Sequence, residues 1–335
     1  MTQAANLLGE FELIARYFAP LARGFPGAFG LLDDAAVIAP PPGHELVVKT
    51  DAIVGGVHFL HDDPPELIAR KALRVNLSDL AAKGAVPRAY MLDIMLPKTV
   101  TEEWIAAFAR GLAEDQNEYG VHLIGGDTDS TPGPATIAVM AFGDVATGRM
   151  IHRGGARVGD TVFVTGTIGD AALGLAVLHG TLANLDMKDA DFLVDRYRLP
   201  RPRVRLSPRL IGIADAALDV SDGLLADLGH LCEASELAAV IEASRVPLSP
   251  AGRAVLAAHS GHITTVLTGG DDYEILLTAP PEAVNELAEL SRTLDVPITA
   301  IGAMRSPSIG KPSHVTVLDE SLEPLVFDRS GWTHF

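Results

Sequence analysis

Apolar residues in this chain come in short runs that alternate with turn signals, and none approaches the ~20 residues of a membrane span. Strand-length runs alternate with stretches of helical spacing, which points to an α+β (mixed α/β) fold of sheets packed with helices. Ile14, Tyr17, Phe18 and Leu21 predict one amphipathic helix, and residues 35–39 and 45–51 predict strands. Pro64 and Pro65 open a helix through Leu73, Leu77 and Leu80. Thr101 reads as the N-cap of another, with Glu102 and Glu103 in its first turn and Ile105, Phe108 and Leu112 on one face. Strands at 121–124 and 136–141 flank a turn-rich stretch.

The pattern restarts after Thr147-Gly148, so two domains are expected, 1–148 and 149–335, in keeping with ~100–200 residues per domain. Beyond the boundary the spacing predicts a strand at 161–165, a helix at 170–178 and a charged, proline-rich connection at 186–208. A strand ending at Asp219, a helix through Leu224, Leu228 and Leu231, a strand at 273–278, a helix at 284–290 and a strand at 296–301 follow.

With 26 Lys+Arg against 43 Asp+Glu, the net charge is −17, which argues against a nucleic-acid partner held by basic side chains. The single cysteine, Cys232, excludes an intramolecular disulfide and fits a reducing compartment. It lies among apolar residues and reads as core. The first residues lack the basic head and cleavage site of a secretory signal, so a cytoplasmic protein with no membrane partner is expected.

Aspartates recur where apolar elements meet turns: Asp33-Asp34, Thr50-Asp51, Asp79, Gly126-Asp127, Asp219 and Asp222, and Asp271-Asp272. Any one of these is ordinarily a turn or cap residue. Together they suit a hard cation such as Mg²⁺, which takes oxygen ligands and bridges to phosphates. Asp79 sits inside an apolar helical stretch with Asn76 on its face, and either a metal or Lys83 at i+4 would satisfy it. No Gly-x-x-x-x-Gly-Lys-Ser/Thr loop occurs. Ser221 is the better anion candidate, as the cap of a helix whose N–H groups face the ligand. His58 and His61 lack a third ligand for zinc. Trp332 reads as a docked tail or as a lid over a flat ring.

Several passages resemble thiamine-monophosphate kinases: Gly9-Glu-Phe-Glu-Leu-Ile-Ala-Arg-Tyr-Phe18, Lys71-Ala-Leu-Arg-Val-Asn-Leu-Ser-Asp-Leu-Ala-Ala-Lys-Gly-Ala85, Leu123-Ile-Gly-Gly-Asp-Thr128, Asp219-Val-Ser-Asp-Gly223, Gly269-Gly-Asp-Asp-Tyr-Glu274 and the closing Gly-Trp-Thr-His-Phe335. They span nearly the whole chain in family order. The resemblance implies the two-domain architecture shared with aminoimidazole ribonucleotide synthetase, an N-terminal ATP/Mg-binding domain that forms a homodimer through its sheet, and a C-terminal domain completing the nucleotide and substrate site. It implies transfer of the ATP γ-phosphoryl group to thiamine monophosphate, the last step of thiamine diphosphate biosynthesis. Asp34, Thr50, Asp51, Asp79, Asp127 and Asp219 would hold several Mg²⁺ ions and Asp222 a further one. Gly126, Asp127, Arg153 and Ser221 would contact ATP, and His58, Asp271 and Trp332 the thiamine substrate.

No general base or covalent nucleophile is assigned, because a phosphate-monoester acceptor is already ionised at pH 7. The chain departs from the family pattern at Lys49, where serine is usual, so that a cation site there is lost or replaced by the ammonium. It departs again at Asp271, where glutamate is common, and at Gly30-Leu-Leu-Asp-Asp34. A sister synthetase is the alternative enzyme, disfavoured by the lack of an N-terminal or C-terminal cysteine. A nucleotide-binding scaffold without turnover is the alternative outside enzymes.

Overall fold

The computed structural model describes residues 9–182, 185–307 and 314–332, and the last three residues of the closing motif lie outside them. The chain forms two compact units, Met1–Leu80 with Ala85–Gly148, and Ala81–Gly84 with Arg149–Phe335.

In the first unit, α1 (Glu10–Leu13) widens into a π-helical segment, Ile14–Phe18, and then tightens into a 3₁₀ turn, Ala19–Ala22. The expected continuous helix is therefore broken. Pro20 accounts for it, because its ring would clash with the carbonyl four residues back and it has no N–H to donate. Residues 35–39, expected as a strand, join no ladder among the described residues. They run into Pro40, Pro41 and Pro42, which lack donors, and the Val37 N–H is spent on the Gly27 carbonyl.

The sheet of this unit has four strands, β1 (His44–Val54), β2 (Val86–Pro97), β3 (His122–Thr131) and β4 (Thr136–Ala146), in the order β1-β4-β2-β3. Only β2 and β3 run parallel among its pairings. Alternation along β1 sends Val47, Lys49, Asp51 and Ile53 to one face and Val48, Thr50 and Ala52 to the other. On the second face Val48 stands exposed, as does Met140, paired opposite Thr50 on β4. Two helices, α2 (Pro65–Ala82) and α3 (Glu102–Tyr119), begin where the sequence places them. Thr101 Oγ1 accepts from the Trp104 N–H at 3.3 Å. The two helices are tied together by fully buried Asp115, which accepts from Arg70 Nε at 2.8 Å and Arg74 Nε at 2.7 Å.

The stretch expected to be turn-rich is instead the body of β3. It pairs with β2 from Met91↔Gly125 to Pro97↔Thr131, so a strand partner overrides local turn preference.

The second unit carries a seven-stranded mixed sheet: β5 (Thr161–Thr165), β6 (Ala216–Asp219), β7 (Ala238–Glu242), β8 (Ile275–Ala279), β9 (Ile298–Arg305), β10 (Val315–Leu318) and β11 (Pro324–Leu325). Their order is β11-β10-β7-β9-β5-β8-β6. Both faces are covered, so neighbouring residues of one strand enter different cores. Val162, Val164 and Leu218 pack with α4 (Asp170–Leu178), α5 (Met187–Arg198), α6 (Leu224–Ser235), α7 (Pro250–Ala258) and α8 (Ile263–Thr268). Phe163, Ala217 and Leu277 pack with α9 (Val284–Leu294). Helix α5 lies inside the segment expected as a connection. Its charged surface hides a two-residue anchor, Leu193 and Tyr197, spaced one turn apart and buried, with Asp186 capping the Lys188 N–H.

Cys232 is buried on α6, and burial pushes its thiol up to about 12. A thiol reagent at pH 8 is expected to leave the native protein unlabelled and to modify Cys232 once guanidinium unfolds it; labelling of the native protein at the rate of a free thiol would contradict this packing.

Candidate active site

Several of the singled-out residues of the first unit stand on the inner face of β1 and on α2. Lys49 Nζ lies 3.2 Å from Asp51 Oδ2 and 2.9 Å from Asp79 Oδ2, so two carboxylates from separate elements converge on one ammonium. Burial works against the charged amine, but Asp79 and Asp51 outweigh it and hold its pKa above the usual lysine value. Lys83, which with a metal was one of two expected partners of Asp79, donates to the Ala217 carbonyl at 2.7 Å. Asn76 turns its amide back to Ala72 O in its own helix. Thr50 does not join Asp51: it faces the other side of the sheet, and its hydroxyl donates to Val139 O at 3.1 Å.

His58 Nδ1 accepts from the Val54 N–H at 3.0 Å, which puts the proton of the neutral ring on Nε2. The buried Lys71 ammonium holds the His58 carbonyl at 2.9 Å. Among the described residues no three His, Cys, Asp or Glu side chains group around a common metal position.

A cavity of about 300 Å³ opens between the N-terminal segment and β2–β3. Phe11, Phe18, Met91 and Ile124 make it apolar, while Asp34, Gly126 and Asp127 bring carboxylates and bare backbone to its wall. Glycine is required at 126: its φ is +149°, and a Cβ would stand 1.8 Å from the Leu92 carbonyl oxygen.

In the second unit the turn after β6 gathers four more of these residues. Asp227 Oδ2 accepts three consecutive backbone N–H groups, from Ser221 at 3.0 Å, Asp222 at 3.0 Å and Gly223 at 3.1 Å. Burial, reinforced by the charge of Asp222, pushes the Asp227 carboxyl up to about 7 against the opposing effect of those donors. This corrects the expectation for Ser221. The N-cap of α6 is Gly223, with no side-chain cap, so Ser221 lies before the helix, in the turn whose N–H groups face Asp227. The Asp271 N–H donates to Ser221 O at 2.8 Å, the Tyr273 N–H to Val220 O at 2.8 Å, and the Trp332 N–H to Asp222 O at 2.9 Å. Gly270 permits the approach, since a Cβ there would lie 2.2 Å from Ser221 O.

Tyr273 O–H reaches Asp271 Oδ1 at 3.3 Å. Fully buried Glu274 anchors the same segment, accepting from Thr165 Oγ1 at 2.7 Å, Arg196 at 3.0 Å and Arg203 Nε at 2.6 Å. Asp219 is buried at the end of β6, and Arg153 is exposed in the bend whose neighbouring His152 carbonyl accepts from Ala217 N–H.

Residues 32–145 match the pattern of the AIR synthase related protein N-terminal domain, and residues 157–310 that of its C-terminal domain. The thiamine-monophosphate kinase of Escherichia coli (strain K12) is 40% identical over 331 residues, 98% of each chain. The chain belongs to the thiamine-monophosphate kinase family. A solved thiamine-monophosphate kinase from Stenotrophomonas maltophilia K279a matches with a TM-score of 0.82 at 40% identity, over 92% of this chain and 96% of that one. The solved complex of AaThiL with AMPPCP and TMP matches with a TM-score of 0.77 at 29% identity, over 92% and 97% of the two chains. Fold and recognition thus agree with the resemblance read from the motifs.

Sequence reasoning missed Asp227, Glu274 and the partner of Asp79. For Asp227 a signal exists, an aspartate in the first turn of α6 four residues after Gly223, placed to reach back to the preceding turn. Asp227→Ala is expected to cost about 2–3 kcal/mol, because buried donors lose their acceptor. Urea unfolding should show the lower midpoint with unchanged far-UV dichroism; an unchanged midpoint would mean the clasp contributes nothing.

Proposed function

We propose that the protein is an ATP- and Mg²⁺-dependent thiamine-monophosphate kinase that moves the γ-phosphoryl group of ATP directly onto the phosphate of thiamine monophosphate. The observation that carries this reading is the relationship, along almost the whole chain, to kinases of that name, one of them solved with AMPPCP and TMP. Donor and acceptor are both phosphates, so what the protein must supply is alignment and relief of charge repulsion, with no base needed.

The donor set fits a hard cation. Mg²⁺ is ordinarily held by one or two carboxylates plus substrate phosphates, and Asp34 with Asp127 in one unit and Asp219 with Asp222 in the other are pairs of that kind. Bound there, Mg²⁺ would neutralise phosphate oxygens of donor and acceptor. Gly126 offers bare backbone beside Asp127 for the nucleotide. Exposed Arg153 supplies a guanidinium for phosphate, and Ser221 a hydroxyl on the clasped turn. His58, with its ring proton on Nε2, serves as a hydrogen-bond donor to the thiamine substrate. Asp271 and Trp332, both fastened to the 221–222 backbone, supply a carboxylate and an aromatic face for its cationic thiazolium and its flat pyrimidine. The departure from glutamate at 271 shortens the reach of that carboxylate.

The open face of the first sheet, with Val48 and Met140 exposed, favours a homodimer formed there. A cytoplasmic setting accords with the lone buried thiol and with the fact that, among the described residues, no helix is long and apolar enough to cross a membrane.

Incubation with ATP, Mg²⁺ and thiamine monophosphate is expected to yield thiamine diphosphate and ADP, and a chelator to stop it; folded protein that forms no product would defeat the proposal. Asp222→Asn should fold yet lose about 100-fold in turnover, the scale of removing one charge-stabilising contact. Undiminished turnover in that variant would take Asp222 out of the site.

A further inference from the structure

We infer that Lys49 is the resident cation of the Asp51–Asp79 carboxylate pair, a tethered positive charge standing where a divalent ion would otherwise bind. Its Nζ is within hydrogen-bond distance of both carboxylates, at 3.2 and 2.9 Å. The three residues come from two elements. Lys49 and Asp51 share the inner face of β1 two residues apart, and Asp79 projects from α2.

Two carboxylates facing one another need a cation, and here the chain provides it. A Mg²⁺ ion shared by the pair would draw their oxygens to 2.0–2.1 Å from its centre. The ammonium fills the same gap at nearly 3 Å, and a second cation beside it would meet repulsion barely screened at such a distance. Nearby side chains do not enlarge the site. The Thr50 hydroxyl is turned to the opposite face and Asn76 donates to its own helix.

The ammonium is tethered to the chain, whereas a divalent ion exchanges with solution. The pair therefore stays compensated whatever the Mg²⁺ concentration, and it is the remaining carboxylates that are left to recruit exchangeable ions. This rests on the reading of the neighbouring aspartates as Mg²⁺ ligands, but not on turnover.

The test counts Mn²⁺ bound per chain by electron paramagnetic resonance, with neither ATP nor thiamine monophosphate present. A protein that makes no thiamine diphosphate is thus tested equally well. Lys49→Ser is expected to bind one more Mn²⁺ than the parent chain, and its thermal midpoint should rise more on adding Mn²⁺. Lys49→Arg, which keeps the charge, should bind no more than the parent. Equal counts in the parent and Lys49→Ser would overturn the inference, as would a gained ion in Lys49→Arg. Should Lys49→Ser fail to fold, Asp79→Asn decides in its place: an unchanged Mn²⁺ count supports the inference, because no ion occupied the pair, and the loss of one ion overturns it.

Discussion

Three consecutive N–H groups converging on one carboxylate oxygen of Asp227 hold the Asp219–Gly223 turn against the first turn of α6. The other pieces of the second unit's site depend on that clasp, because they attach to the carbonyls of the same turn. Tyr273 and Asp271 dock on Val220 and Ser221, and Trp332 docks on Asp222. A backbone bonded on both its N–H and C=O sides cannot drift, so side chains distant in sequence are set at fixed spacing. Glu274 does the same work from beneath by tying the 269–274 segment to Thr165, Arg196 and Arg203.

The acidic excess of the chain is managed by position. Several buried carboxylates are met by arginines: Asp115 by Arg70 and Arg74, Glu274 by Arg196 and Arg203, Asp144 by Arg88. An unpaired buried charge would be strongly destabilising, so these pairs are conditions of the fold more than sources of extra stability. Aspartates at strand ends and turns are the ones proposed to hold metal. A net charge of −17 thus disfavours partners recognised by basic patches while remaining compatible with a small polyphosphate that arrives with its metal.

Elements were legible where local signals agreed. The Pro65 start, the Thr101 cap and the apolar run of β5 each act within a few residues, and the structure keeps them. Misreadings occurred where a distant partner or one residue type changed the balance. Pro20 broke a correct apolar stripe, β2 drew a glycine- and aspartate-rich stretch into β3, and Leu193 with Tyr197 anchored a helix in a segment that looked like linker. The candidate site residues were found one motif at a time, and the fold regroups them: Asp34 and Asp127 line one cavity, while Ser221, Asp222, Asp271 and Trp332 meet at one turn. The resemblance placed Thr50 in one ligand set with Asp51, yet strand alternation separates their side chains.

The amino-acid sequence by itself determined the family and the mixed α/β class, since both rest on the order and short spacing of its motifs. Which carboxylate meets which cation was decided only by tertiary structure. Asp79 had a lysine one helical turn away, yet the chain's folding brought Lys49 to it from a strand, a partner that sequence spacing does not point to. The reason is physical: an ion pair forms between groups within a few ångströms in space, and packing of α2 against β1 sets that distance while sequence separation does not.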